Sequence, residues 1–140
     1  MANTLKSFSL VGCTITWGGV PITGFGPDDA ISIEASNEAW VEEIGGDGDL
    51  SRYQKPVYYK VAITLAQTSK TNDAFSAVHI ADKVYGTGVL PFIFADSRGT
   101  SKCVLTASYL VGEPTAAVGT SAKTREWKLS GVGENFVGGN

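Results

Sequence analysis

The sequence predicts a mainly β fold, an antiparallel β-sandwich or barrel of about seven strands with one flanking α-helix. Three observations carry this. Apolar and polar residues alternate over several stretches. The longest starts at Pro56, with Val57, Tyr59, Val61, Ile63 and Leu65 facing one way and Tyr58, Lys60, Ala62, Thr64 and Ala66 the other, the mark of a strand with one buried face. The 17 glycines are spread along the chain, which suits many tight turns. Only one segment, 73–85, has convincing helical spacing. A length of 140 residues predicts a single domain, 1–140, large enough for a hydrophobic core.

In chain order, the first strand is predicted over 5–17. Phe8 and Leu10 fall on one face and Val11, Cys13, Ile15 and Trp17 on the other, with a bulge near Gly12 where the preference switches. After a Gly18-Gly19 turn and a Gly24-Phe25-Gly26-Pro27 loop, a second strand over 29–36 alternates Ile31, Ile33 and Ala35 with Ser32, Glu34 and Ser36. The helix is given Asn72 as N-cap, Asp73 in its first turn and Gly86 as its stop. Phe75, Val78, Ala81 and Tyr85, with Ala74, Ala77 and Val84, make its apolar stripe. Residues 89–95 form a strand with Pro91 near its start, because proline cannot donate to a ladder. A turn at 96–100 leads to a strand over 102–111 that sets Cys103, Leu105, Ala107, Tyr109 and Val111 against Lys102, Val104, Thr106, Ser108 and Leu110. The last strand, 122–131, alternates Trp127 and Leu129 with Glu126, Lys128 and Ser130, and 133–140 reads as a loose tail.

The stretch 38–56 stands apart. Two arms, 38–44 and 50–55, flank Gly45-Gly46-Asp47-Gly48-Asp49, where glycine supplies positive φ and aspartate bonds its own backbone. The resulting hairpin is too long, and too polar at its tip, to serve a small domain's own core. Glu38, Trp40, Glu42, Glu43, Asp47, Asp49, Arg52 and Tyr53 are therefore candidates for contact with another subunit.

Net charge is −3, but unevenly placed. Up to Ser51 the acids Asp28, Asp29, Glu34, Glu38, Glu42, Glu43, Asp47 and Asp49 meet only Lys6, and bases outnumber acids thereafter. Either one copy's acidic surface meets another's basic surface, or the charges serve solubility. The later bases are interleaved with acids, unlike a nucleic-acid footprint. No 18-residue apolar run exists to span a membrane. The N-terminus lacks the layout of a signal peptide, which predicts synthesis in the cytoplasm.

Little in the sequence suggests catalysis. His79, the only histidine, reads as a surface or boundary residue with no nucleophile to serve. Glu42 and Glu43 are adjacent, so on a strand they face opposite sides, unlike a glycosidase pair. Phosphate-loop and dinucleotide fingerprints are missing. The 45–49 loop invites calcium but matches neither the EF-hand spacing nor the nonapeptide repeat, whose aspartate position holds Leu50. No cofactor or metal is expected, and the chain is not read as an enzyme. Cys13 and Cys103 are either buried thiols or one bridge, within the chain or between subunits. Trp17, Trp40 and Trp127 suit core or subunit burial better than a glycan platform. The alternative function is a monomeric β-sandwich binding module for a glycan or calcium.

Several segments resemble the tail tube protein of contractile-tailed bacteriophages: Ile31-Ser32-Ile33-Glu34, then Ile44-Gly45-Gly46-Asp47-Gly48 and the alternating strand after Pro56. Gln67-Thr68-Ser69-Lys70-Thr71-Asn72 entering a short helix, the Asp96-Ser97-Arg98-Gly99 turn and Arg125-Glu126-Trp127-Lys128-Leu129 are similar too. The resemblance covers nearly the whole chain and rests on pattern and order; nothing functional carries over to the cysteines. It implies a virion structural protein that forms hexameric rings stacked into a tube, each subunit giving about four strands to a shared inner barrel. The implied partners are the chain itself, a tail sheath protein, and tape-measure and baseplate or tail-end proteins, with double-stranded DNA passing through unbound. Barrel diameter grows with strand number, so roughly 24 strands would pass a duplex. The wall must then avoid basic rows, which bind phosphates. Ser32, Glu34, Ser36, Tyr58, Lys60, Thr64, Thr106, Ser108, Glu126 and Lys128 are the lumen candidates, their charges summing near zero.

Overall fold

The computed structural model describes residues 8–26, 30–121, 123–133 and 136–139. It is mainly β, with nine antiparallel strands and one α-helix among the described residues. The strands are β1 (Cys13–Trp17), β2 (Val20–Pro21), β3 (Ile31–Ala35), β4 (Trp40–Ile44), β5 (Leu50–Gln54), β6 (Tyr59–Ala66), β7 (Leu90–Asp96), β8 (Lys102–Leu110) and β9 (Thr124–Gly133), and the helix α1 spans Thr71–Tyr85. Seven strands form one sheet in the order β2-β1-β7-β8-β9-β6-β3, and β4 and β5 pair only with each other.

The long alternating strand behaves as its pattern requires. Val61, Ile63 and Leu65 are fully buried, beside Leu129 and Trp127 of β9. Pro56 leaves Val57 and Tyr58 before the ladder, so β6 starts at Tyr59. α1 covers this face through Phe75, whose ring stands edge-on between Trp17 (centroids 5.2 Å) and Trp127 (5.5 Å). Edge-to-face aromatic pairs add about 0.5–1.5 kcal/mol each beyond area burial. Both indoles are satisfied: Trp17 Nε1 donates to Ser108 Oγ at 3.0 Å and Trp127 Nε1 to Asn72 Oδ1 at 2.9 Å.

Several expectations change. Residues 5–7 of the predicted first strand lie outside the described residues. Leu10–Gly12 is a single 3-10 turn instead of a bulged strand, and Val11 is fully exposed. The helix starts at Thr71, whose N–H bonds Ser69 Oγ at 3.2 Å. Asn72 therefore caps nothing; its amide ties Ala66 and Ser69 carbonyls to Trp127. Gly86 does end the helix, at φ +68°. The stripe is rotated: Thr71, Phe75 and His79 are buried, whereas Val84 and Tyr85 are exposed. His79 is thus a core-side residue, and its Nδ1 lacks a hydrogen-bond partner.

The largest correction lies on β8. Its pairing with β9 shifts between Leu105 and Ala107, and such a shift turns later side chains to the other face. Cys103 and Leu105 are buried as expected, but beyond the shift Ser108 and Leu110 take the core and Tyr109 faces out. Gly131 allows the approach: a Cβ there would lie 2.6 Å from Ala107 O. Within the tail read as loose, of which 134, 135 and 140 lie outside the described residues, Val137 forms one isolated bridge with β8, Lys102 N donating to Val137 O at 3.0 Å and Val137 N to Lys102 O at 2.8 Å.

Candidate assembly surfaces

Three surfaces carry the predicted residues. The first is the hairpin. Trp40, Glu42, Ile44, Leu50, Arg52 and Gln54 share one face by register, and Val41, Glu43, Ser51 and Tyr53 the other. Every residue of β5 and all but Val41 of β4 are exposed. The tip is built locally: Gly45 N donates to Asp49 O at 2.9 Å, Asp47 Oδ1 accepts from Asp49 N at 3.1 Å, and Gly48 sits at φ +89°. Arg52 lies 3.9 Å over the Trp40 ring, a cation–π contact bracing that face. Neither strand packs extensively on another element. At the root, Lys55 N bonds Ala39 O at 2.7 Å and Asn37 Nδ2 bonds Pro56 O at 3.4 Å. A cleft of about 1010 Å³, lined in part by Glu34, Asn37, Gln54, Pro56 and Tyr59, separates hairpin and body. Glu38 lies in the root and Asp47 and Asp49 in the tip, so the predicted residues all lie on the hairpin but are split between its two faces and its two ends.

The second surface is the sheet face opposite α1. Cross-strand register aligns Ser32, Ala62 and Lys128 in one row and Glu34, Lys60, Ser130 and Tyr109 in the next, while Thr64 pairs Glu126. Lys128 Nζ lies 3.8 Å from Glu126 Oε1. Ser36 and Tyr58 extend the face toward the hairpin root, Tyr58 N donating to Ser36 Oγ at 3.2 Å. Thr106 is exposed and donates to Val132 O at 3.2 Å. Ser108, predicted to belong here, does not: it is fully buried on the helix side, donating to Leu90 O at 2.6 Å. Alternation alone put Tyr109 on the other face, whereas it placed Ser130 here, with Glu126 and Lys128. The paired glycines Gly131 and Gly133 opposite β8 were the available signal of a shifted register.

The third surface is the sheet's two margins. Ser36 N bonds Tyr58 O and Thr64 N bonds Ala30 O, so even-numbered β3 residues point their backbone at β6. The N–H and C=O groups of Ile31, Ile33 and Ala35 then point outward, the template for another strand. The opposite margin is blunted. Val20–Pro21 covers the end of β1, Ile22 N donates to Ile15 O at 3.0 Å, and Pro21 offers no donor.

The cysteines are both free. Cys103 lies in the core, and burial pushes its thiol up to about 11. Cys13 is partly buried and raised as well, by burial and then by the Asp96 charge. Among the described residues no three His, Cys, Asp or Glu side chains are grouped to hold a metal ion, and no helix is long and apolar enough to cross a membrane.

No protein-family model matches the sequence. The chain is 27% identical over 123 residues to structural protein ORF10 of Pseudomonas phage KPP10, a match covering 85% of this chain and 71% of that protein. Its fold is that of the anti-feeding prophage cap, which terminates a tube: the TM-score is 0.65 at 9% identity, over 94% of this chain and 91% of the cap.

Proposed function

We propose that this chain is a structural protein of a phage tail, the subunit of its inner tube. Copies form hexameric rings that stack, each completing a shared β-barrel wide enough for duplex DNA to leave the virion. The observation that carries this reading is the unfinished sheet: among the described residues β3 pairs on one side only, with β6, while β4 and β5 pair with no further strand. Adding a neighbour's strand to β3 removes an aggregation hazard and closes a ring. The polar rows on β3, β6 and β9, at one side of the sheet face opposite α1, become the wall, where Glu34 and Glu126 balance Lys60 and Lys128, so phosphates find no basic row. Similarity to a phage structural protein and to a tube cap supports the tail assignment. Sheath, tape-measure and baseplate or tail-end proteins are the further partners this role requires.

A second reading, a component at the tube's end, is favoured by the match to a terminating cap. Negative-stain electron microscopy of the purified protein separates the two. A tube subunit gives filaments of stacked rings, and an end component gives single or paired rings. Only monomers at high concentration would overturn both. On assembly, amide exchange over 38–56 should slow.

A further inference from the structure

Two groups of exposed apolar side chains on the body lie on opposite sides of the sheet, and others, such as Val11 and Val118, stand apart from both. One group lies on the outside of α1 and the segment after it: Ile80, Val84, Tyr85 and Val89. The other lies on the sheet face opposite α1, toward the blunted margin. There Ile93 and Val104 sit directly opposite each other across β7 and β8, Thr16 flanks Ile93 on β1, and Val132 lies beside Ala107 on β9. This patch adjoins the polar rows of the wall but carries no charge of its own. It spans four neighbouring strands, about 14 Å at the usual strand spacing. Along the hairpin, Trp40 and Ile44 are four residues apart on one face, about 13 Å at the usual rise per residue. Trp40, Ile44 and Leu50 are 41%, 76% and 64% exposed, too apolar for a face meant for water.

Charge separates these two patches. Between 40 and 54 the hairpin has Glu42, Glu43, Asp47 and Asp49 against Arg52; on the Trp40 face Glu42 stands opposite Arg52, so the acidic excess of that face lies at the tip, with Asp47 and Asp49. Beside the sheet patch, Lys102 stands one row beyond Val104 and Arg98 lies in the adjoining turn, neither in an ion pair among the described residues. On α1, by contrast, Lys83 is already held by Glu113 at 2.7 Å, a contact that also keeps the Glu113 carboxyl below its ordinary value. We infer that the patch of Ile93, Val104, Val132 and Thr16, flanked by Lys102, is the seat for the hairpin of a second copy of this chain. The Trp40–Ile44–Leu50 face lies across the strands, as one sheet packs on another. This rests on the tube-subunit reading and adds where the projecting hairpin lands.

Disulfide trapping tests the seat in a Cys13→Ser background, the buried Cys103 being left in place. The pair Ile44→Cys with Ile93→Cys, oxidised under conditions where the parent assembles, should give a ladder of covalent multimers. The pair Ile44→Cys with Ile80→Cys should give none. Separately, Ile93→Asp should abolish assembly at concentrations where the parent is fully assembled, with the monomer's thermal midpoint unchanged within a few degrees. If assemblies form but cross-linking favours Ile80, or neither pair cross-links, or Ile93→Asp assembles like the parent, the seat is wrong and the tube reading survives. If the parent never assembles, both fall together.

Discussion

Two parts of this chain use tryptophan in opposite ways. In the body, Trp17 and Trp127 are 3% and 2% exposed, clamp Phe75 edge-on, and place each indole N–H on a dedicated acceptor. On the hairpin, Trp40 is 41% exposed, with Arg52 over its ring. The body thus closes its own core, while the hairpin holds its large side chains where only another molecule can bury them. A two-stranded hairpin alone is marginal in water, so its apolar face is legible as information for a partner. One region holds this molecule together; the other is shaped for its neighbours.

Substitutions can break or sharpen that contrast. Phe75→Ala should have the largest effect, about 3–5 kcal/mol lost by the monomer, because it empties the space between two indoles. Chemical denaturation checks it. Ser108→Ala should cost about 1–3 kcal/mol, leaving a buried indole N–H without its acceptor and the Leu90 carbonyl without its donor. Had Ser108 lain on the wall, the same change would be silent. Deleting 42–53 should leave the body folded, because β4 and β5 lie outside the seven-stranded sheet, yet abolish ring stacking. Normal tubes from that deletion would remove the hairpin's assigned role.

A smaller effect concerns pH. Burial raises the folded Cys103 thiol from 9.0 to about 11, so the unfolded chain releases this proton first. The stability linked to it is complete below pH 9 and declines as pH climbs toward 11. Thiol-reagent kinetics at pH 8 should show Cys13 labelled first and Cys103 only as the protein unfolds.

Local rules made much of this molecule readable. Alternation along 57–66 identified β6 and its buried face, Gly86 identified the helix end, and the glycine–aspartate run identified the hairpin tip. Each depends on neighbours within a few residues. The helix stripe was half right, since Phe75 is buried but Tyr85 is not: composition allows several apolar faces, and only the packing of Trp17 and Trp127 selects one. His79 was misplaced for the same reason, because what surrounds it, Trp127 and Arg125 of β9 with Glu113, Pro114 and Ala116 of the preceding loop, is distant in sequence.

The residues alone therefore determined the β class, the single helix, the projecting acidic hairpin and most of the polar face. Tertiary structure alone decided on which side of the sheet Ser108 and Tyr109 lie, which margin is bare and which blunted, and where apolar surface is left over. Side-chain direction along a strand repeats every two residues, so it is written locally until one shifted pair reverses it. Where that shift falls depends on how closely β9 can approach β8, through glycines more than 20 residues away in sequence.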